Sequence, residues 1–277
     1  MTLMSYRPLG RVPQDPRLGR FIPDDDDHVL KYPYSAVLDT TVATVEKVLV
    51  LPFWHWLHDQ GQEGSCVGHG SAMERAITNL IQNKLLARLP PFTRRYDPLF
   101  IWNWAKAHDE WSETNPGDDN GTSVRAGYDC LRVVGPRRIK TKGIAIVNGR
   151  PVVSDNCNTP DLSEGVEVTR WARTVDEMRT AISAGNPVVI GVNWYSNFDS
   201  PVGQSDVRKG VDYWIGQGSL GRVRGGHCVC LYGASDKRQA FRLKNSWGRD
   251  YPLVWLPYGV METLLGQDGE ATLQSDR

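Results

Sequence analysis

Three short segments carry side chains whose types and spacing suit catalysis. They are residues 59–66 (DQGQEGSC), 225–227 (GGH) and 244–248 (KNSWG). A cysteine at the start of a helix lies at the positive end of the helix dipole, which lowers the pKa of its thiol. A nearby imidazole can hold the proton, so that a thiolate–imidazolium pair forms at neutral pH. Cys66 and His227 are therefore the candidate nucleophile and general base.

Two amide side chains can complete such a site. Asn245 follows His227 by 18 residues, a separation suited to the next strand of an antiparallel sheet. Its side-chain oxygen can accept a hydrogen bond from Nδ1–H of His227 and fix the tautomer of the ring, as the orienting member of a Cys-His-Asn triad. The amide of Gln60 and the backbone N–H of Cys66 can form an oxyanion hole. We expect the Trp247 indole to cover the bond between Asn245 and His227.

Each of these signals has a commoner structural explanation when it stands alone. A cysteine at a helix start is usually a buried core thiol, Gly-Gly-His is usually a turn, and Asn-Ser-Trp-Gly can be a hairpin turn with a packed tryptophan. The three signals occur together here, and Gln60 accompanies them. This combination favours a catalytic site.

The order and spacing of the three segments resemble those of the papain-like cysteine peptidases. Residues 161–198 and 253–269 resemble two further stretches of that family, residues 18–34 resemble its short leader, and the similarity covers most of residues 50–265. The resemblance is closest to the bacterial, archaeal and phage members. By this resemblance the nucleophile is Cys66, the general base is His227 and the orienting asparagine is Asn245. The oxyanion glutamine matches Gln60, and the shielding tryptophan matches Trp247.

The resemblance implies an α+β fold with an active-site cleft between a helical subdomain and a β-barrel-like subdomain. It implies a thiol-dependent peptidase that forms an acyl-enzyme with peptide or protein substrates and needs no cofactor. Asn120, Gly121 and Thr122 match the glycine-rich strip where substrate backbone lies against enzyme backbone; an ordinary helix-capping loop is the alternative. Gly226 and Trp247 are further substrate-contact candidates.

The chain departs from the family pattern in several places. Val67 stands where the best-known members carry an aromatic residue, and Glu63 replaces a half-cystine of secreted members. The turn at residues 249–252 is short, which leaves the shape of the primed side of the cleft open. The 65 residues before Cys66 lack a long helical pattern. Either activity is controlled without a helical propeptide, or this arm itself shields the cleft.

The elements that position these residues follow from apolar spacing and capping signals. A helix is predicted after Cys66, a second over residues 100–111 with a start near Asp97, and a third over about residues 123–133. The second half is richer in strands. We predict a helix at 175–184 capped by Thr174, a hairpin around Asn148, and strands at 42–51, 187–194, 225–232, 240–245 and 253–257. The chain thus divides into an extended arm (1–50), a helical subdomain with the nucleophile (51–135) and a β-rich subdomain with His227 and Asn245 (136–277).

Composition limits the partners and the compartment. Lys+Arg and Asp+Glu each number 32, so the net charge of zero argues against bulk electrostatic binding of nucleic acid. No window of 18 apolar residues predicts a membrane span, and no signal peptide is evident. Five cysteines at irregular spacing are a poor disulfide framework. We therefore expect a reducing, cytoplasmic or virion-associated location, and the oligomeric state stays open.

The other candidate ligand groups favour structural roles, and we expect no metal. His55 and His58 are expected to be partly exposed, and His69 to pack or cap one turn after Cys66, with tuning of the thiolate as the alternative. Along a strand, His227 points to one face while the thiols of residues 228 and 230 point to the other, so the three cannot converge on one ion. The acidic run at 24–27 is expected to be a solvated charge run rather than a calcium site.

Two other functions use the same residues. The first is hydrolysis of peptidoglycan cross-bridges or another amide by the same triad, because the thiolate and the oxyanion hole serve any acyl transfer. The second is a papain-like structural component, for instance of a phage particle, that has lost turnover. The complete set of catalytic residue types favours the peptidase.

Overall fold

The secondary structure follows the predicted order of a helical part and a strand-rich part. The computed structural model describes residues 18, 20–21, 44–49, 51, 55, 58–82, 96–109, 121–139, 144–147, 150–153, 157–206 and 210–276. In these ranges the helices are α1 (Cys66–Gln82), α2 (Pro98–His108), α3 (Val124–Val133), α4 (Val175–Ser183) and α5 (Tyr258–Leu265), with short 3-10 helices at Leu162–Glu164 and Ser196–Phe198. The strands are β1 (Arg20–Phe21), β2 (Glu46–Val48), β3 (Thr122–Ser123), β4 (Arg137–Ile139), β5 (Ile144–Val147), β6 (Arg150–Val153), β7 (Cys157–Pro160), β8 (Val166–Ala172), β9 (Val188–Tyr195), β10 (Val202–Asp206), β11 (Gly210–Trp214), β12 (Val223–Ser235), β13 (Ala240–Lys244), β14 (Val254–Pro257) and β15 (Glu270–Asp276).

Capping side chains determine where two of the helices begin. The Asp97 carboxylate accepts hydrogen bonds from two backbone N–H groups in the first turn of α2, and Pro98 takes the first helical position. The hydroxyl of Ser123 accepts from the N–H of Ala126 at the start of α3. Both starts agree with the sequence-based prediction, whereas α2 ends at residue 108, three residues before the predicted end.

The strand that carries His227 and the strand that ends just before Asn245 belong to one nine-stranded sheet. Its order is β10-β11-β14-β13-β12-β9-β15-β8, and β2 pairs with β12 beside this path. Neighbours are antiparallel except β11 and β14, which are parallel. The strands predicted around residues 187–194, 225–232, 240–245 and 253–257 are β9, β12, β13 and β14. Strand β15, between β9 and β8, was not predicted.

Glycines allow helix α1 to pack closely between the sheet and α2. A Cβ added at Gly70 would lie 2.9 Å from Sγ of Cys228 on β12, and one added at Gly68 would lie 2.1 Å from the carbonyl oxygen of Pro98. Cys66 and Cys228 also belong to one buried apolar cluster. The start of α1 is therefore held against the strand that carries His227.

The two faces of β12 have different partners. Val229 and Leu231 pack in the core of the β-rich part, whereas Cys228 and Cys230 lie in the two clusters that include α1. Because side chains alternate along a strand, His227 lies on the face opposite the two thiols. This confirms the prediction that the three residues do not converge.

The other predictions for the fold have mixed outcomes. Strand β2 confirms a strand within residues 42–51, and β5 and β6 form the predicted hairpin, although Asn148 and Gly149 lie outside the described residues. Most of the N-terminal arm, with the acidic run at 24–27, also lies outside them. No helix in the described part of the chain is both long enough and apolar enough to span a bilayer.

Candidate active site

His227 and Asn245 form a buried hydrogen-bonded pair. His227 Nε2 lies 2.9 Å from Asn245 Oδ1, and both residues are inaccessible to solvent. The antiparallel register pairs Cys230 on β12 with Lys244 on β13, so that the next residue, Asn245, returns along β12 towards His227. The separation of 18 residues therefore predicted the contact correctly.

The chemistry of Asn245 defines the protonation of the ring. Its Oδ1 also accepts a hydrogen bond of 2.7 Å from the backbone N–H of Ser246. A backbone N–H can only donate, so this side-chain atom is the oxygen, and His227 must donate to it from Nε2. The prediction of an Nδ1–H bond is therefore wrong in the choice of atom, because strand spacing does not determine the orientation of the ring. Nδ1 is the ring nitrogen on the side away from Asn245.

Two tryptophans cover the imidazole. The ring centroid of Trp247 lies 5.2 Å from that of His227 at 39° between planes. The centroid of Trp194 lies closer, at 4.7 Å and nearly edge-on, and 5.4 Å from Trp247. The sequence reasoning missed Trp194. The signal was the pairing of β9 with β12, which places Trp194 opposite Gly225 beside the histidine.

Gln60 is tied to the residue that follows Asn245. Its backbone N–H donates to the carbonyl of Ser246 at 2.9 Å, and its Oε1 accepts from the Ser246 hydroxyl. One N–H of its Nε2 donates to the carbonyl of Glu63 at 2.7 Å. The same amide group carries a second N–H. The segment before α1 and the end of β13 are thus held together through Ser246.

Cys66 begins helix α1. The carbonyl of Ser65 accepts the first helical hydrogen bond, from the N–H of His69 at 3.1 Å, so Ser65 is the N-cap and Cys66 the first helical residue. The Cys66 thiol is fully buried and is not part of a disulfide. The first turn of a helix presents N–H groups without partners inside the helix, as the predicted oxyanion hole requires.

The remaining thiols have a different character. Burial raises the pKa of the Cys130 thiol to about 12. Burial also raises the pKa of the Cys228 and Cys230 thiols well above the usual value. All three are free thiols. They stay protonated at neutral pH, so they are poor nucleophiles.

The predicted substrate strip is described in part. Asn120 lies outside the described residues, whereas Gly121 and Thr122 are buried just before α3. The hydroxyl of Thr122 donates to Asp109 Oδ2 at 2.7 Å. Gly226 lies against the backbone of Arg20, because a Cβ added to it would be 2.3 Å from the Arg20 carbonyl oxygen.

Two further histidines, His58 and His69, form a hydrogen-bonded pair of their own. His58 Nδ1 is 3.1 Å from His69 Nδ1, and both residues are buried. The prediction that His58 is partly exposed is wrong, because Asp59 forms a β-bridge with Trp247 and draws this segment into the interior. The packing role predicted for His69 is confirmed.

The buried Lys244 side chain lies beside Asn245, the partner of His227, and beside the His58–His69 pair. Lys244 Nζ donates to the carbonyl of Asn245, and a small cavity is lined by Lys244, Asn245, His58 and His69. Burial lowers the pKa of Lys244 to about 8, against the opposing effect of the Asp59 charge.

Comparison with known proteins supports the fold. No family model matches the chain. An uncharacterised peptidase C1-like protein of Acanthamoeba polyphaga mimivirus is 23% identical over 219 residues, which cover 76% of this chain and 65% of that protein. The chain thus spans slightly less than two thirds of this relative.

Two solved structures share the fold. Xylellain, a cysteine protease from Xylella fastidiosa, is 17% identical with a TM-score of 0.63, and the match covers 99% of both chains. Procathepsin B from Trypanosoma congolense is 9% identical with a TM-score of 0.59, over 95% of this chain and 88% of that one. The chain therefore has the papain-like α+β fold that the sequence predicts.

Proposed function

We propose that the protein is a thiol-dependent peptidase that hydrolyses peptide bonds with Cys66, His227 and Asn245. The observation that carries the proposal is the buried hydrogen bond of 2.9 Å between His227 Nε2 and Asn245 Oδ1, under Trp194 and Trp247. In an imidazole that donates from Nε2 to a fixed amide oxygen, Nδ1 is the ring nitrogen that exchanges a proton with a thiol.

The reaction begins with transfer of the Cys66 proton to Nδ1 of His227. The thiolate sulfur attacks the carbonyl carbon of the substrate, and the carbonyl electrons move to the oxygen. The backbone N–H of Cys66 and the second N–H of the Gln60 amide donate to this oxyanion. Collapse of the intermediate breaks the C–N bond, and Nδ1–H of His227 protonates the leaving amine.

The acyl-enzyme is then hydrolysed by water. Nδ1 of His227 takes a proton from the water, whose oxygen attacks the thioester carbonyl. The C–S bond breaks, the sulfur regains the proton, and the carboxylic acid leaves. In both halves the imidazolium is stabilised by the Asn245 oxygen. Ser246 supports this arrangement, since its backbone N–H holds Asn245 and its hydroxyl and carbonyl hold Gln60.

The test compares two cysteines. We expect Cys66→Ala to abolish casein cleavage and Cys130→Ala to retain it, because only the first thiol begins α1. Iodoacetamide at about pH 6 should alkylate Cys66 much faster than Cys130, since a thiolate persists at an activated cysteine. Casein cleavage by Cys66→Ala at the wild-type rate would refute the proposal.

The same preparation separates the other two functions. Release of soluble stem peptides from purified cell walls, without casein cleavage, would identify an amide hydrolase of the peptidoglycan. Ordinary thiol reactivity of Cys66 together with no turnover would identify a structural component.

A further inference from the structure

The Trp194 indole packs against His227 from a neighbouring strand. The two ring centroids are 4.7 Å apart with 73° between the ring planes. Trp194 stands on β9 opposite Gly225 of β12, which precedes His227 by two residues. Only 1% of Trp194 is exposed to solvent. Because interiors are closely packed, a buried indole at this distance limits how far the imidazole can tilt.

The indole is in turn held by a carboxylate. Trp194 Nε1–H donates to Asp199 Oδ1 at 2.9 Å. Asp199 directly follows the short 3-10 helix at Ser196–Phe198, and Phe198 of that helix packs edge-on against the indole at 5.2 Å between centroids. A hydrogen bond from a neutral N–H to a carboxylate is stronger than one between two neutral groups. The carboxylate therefore fixes the single polar atom of the indole and, with it, the rotation of the ring.

A bulge in β12 supplies the second partner of this carboxylate. The pairing of β12 with β9 shifts register between Val223 and Gly225, so Arg224 is the extra residue of the bulge. Arg224 Nη1 donates to Asp199 Oδ2 at 2.6 Å, and the two side chains are 23% and 19% exposed. Each oxygen of the carboxylate thus accepts from a different donor, the indole on one side and the guanidinium on the other.

The hydrogen bond to Asn245 does not by itself fix the plane of the His227 ring. It holds Nε2 at one point, so the ring can still tilt about the line that joins Nε2 to Oδ1. Taking the proposed peptidase function as the premise, we propose that Asp199 is a positioning residue of the reaction, which locks Trp194 and thereby holds the His227 ring in the plane that directs Nδ1 to the thiol. Reaction rates depend on such alignment, since a misplacement of about 1 Å can cost about 10²-fold.

The same sheet offers a matched control, because a second carboxylate in it also joins an indole to a guanidinium. Asp212 Oδ1 accepts from Trp255 Nε1–H at 3.2 Å, and its Oδ2 accepts from Arg238 Nη2 at 2.8 Å. The Arg238 and Asp212 side chains are 24% and 23% exposed, close to the values of the first pair. Trp255 lies on β14, which β13 separates from the strand of the catalytic histidine. Removal of Asp212 therefore breaks similar bonds without affecting the cover of the imidazole.

The first experiment compares the two carboxylates in the full chain on one peptide substrate. We expect Asp199→Ala to lower kcat about tenfold and to leave KM within about twofold, because the alignment of the ring changes and no substrate contact is lost. Asp199→Asn should keep kcat within about threefold of wild type, since its amide oxygen can accept the same indole N–H. Asp212→Ala should lower the melting temperature about as much as Asp199→Ala and retain kcat. Equal losses of kcat in Asp199→Ala and Asp212→Ala would overturn the proposal.

A double-mutant cycle tests whether Asp199 acts through the indole. Trp194→Phe keeps an aromatic ring beside His227 but removes the N–H that the carboxylate holds. In this background Asp199→Ala should lower kcat by less than about twofold further, because the link is already broken. The same tenfold loss in both backgrounds would mean that Asp199 only stabilises its own turn, and would contradict the proposal.

An NMR measurement makes the inference independent of turnover. The proton on Nε2 of His227 is identified as the ring N–H resonance that is absent in His227→Gln. Asp199→Ala should speed its exchange with water about tenfold, because a ring that tilts more freely opens its hydrogen bond more often, and Asp212→Ala should leave the rate unchanged. Absence of casein cleavage by wild type would contradict the proposed function, whereas an unchanged exchange rate in Asp199→Ala would contradict the inference.

Discussion

Two buried histidines of this fold have different partners, and the partners set what each can do. His227 is bonded to the amide oxygen of Asn245, and His58 is bonded to the imidazole of His69. An amide oxygen accepts at every pH, so Nε2 of His227 can keep its proton and its hydrogen bond in either protonation state of the ring. In the His58–His69 pair one Nδ1 must donate and the other must accept. A second proton leaves two donors face to face.

The difference indicates that an orienting group for a catalytic imidazole should not itself titrate. The two pairs lie near each other, since Asn245, His58 and His69 border the same small cavity. The His227–Asn245 pair can cycle a proton without losing its hydrogen bond. The His58–His69 pair instead joins the segment before Gln60 to helix α1 while it is neutral.

The largest effect should come from breaking the His227–Asn245 pair. We expect Asn245→Ala to lower kcat about 10²-fold or more, because the ring loses the acceptor that fixes its tautomer. KM should change little, since no substrate contact is removed. Steady-state kinetics on a peptide substrate measure both.

The matched control is another buried asparagine of the same sheet. Asn193 on β9 donates from Nδ2 to the carbonyl of Gln267 at 3.3 Å, and its register partner on β12 is Gly226. Asn193→Ala should retain kcat to within about threefold, as expected for a residue outside the reacting groups. An equal loss in both variants would mean that the Asn245 effect is structural.

Short-range sequence patterns predicted parts of the fold and of the candidate site. The cap at Asp97 and the separation of His227 from Asn245 follow from short-range chemistry and strand spacing, and the structure agrees with them. The ring nitrogen used by His227 and the cover provided by Trp194 depend on side-chain orientation and strand register. The Arg20–Glu270 pair joins residues 250 positions apart, and no local pattern signals it.

The second-largest effect should come from Lys244, which lines the same small cavity as Asn245, His58 and His69. Burial lowers the pKa of Lys244 to about 8. Below that pH the folded state carries a buried charge, and between about pH 8 and 10.5 the unfolded state holds a proton that the folded state has released. Stability from this group therefore rises with pH across that window. Lys244→Met should raise the free energy of unfolding at pH 7 by up to about 3 kcal/mol.

Urea denaturation at pH 7 and at pH 10 measures this change. The advantage of Lys244→Met should shrink at pH 10, and the exposed control Lys237→Met should show no such trend. A variant destabilised equally at both pH values would mean that the hydrogen bond from Nζ to the Asn245 carbonyl outweighs the cost of burial.

The smallest effect should come from the His58–His69 pair. In His58→Asn an amide takes the place of the Nδ1 atom and can donate or accept without titrating. When both rings carry a second proton at acidic pH, wild type should lose about 1 kcal/mol that the variant keeps, because the paired rings become two donors. The titratable neighbours Asp59 and Lys244 are unchanged in both chains. Thermal unfolding at pH 7 and pH 5 gives the difference, with the half-buried His55→Asn as control. An equal loss of stability in wild type and His58→Asn would show that the second proton does not break the pair, and that an imidazole partner serves as well as an amide.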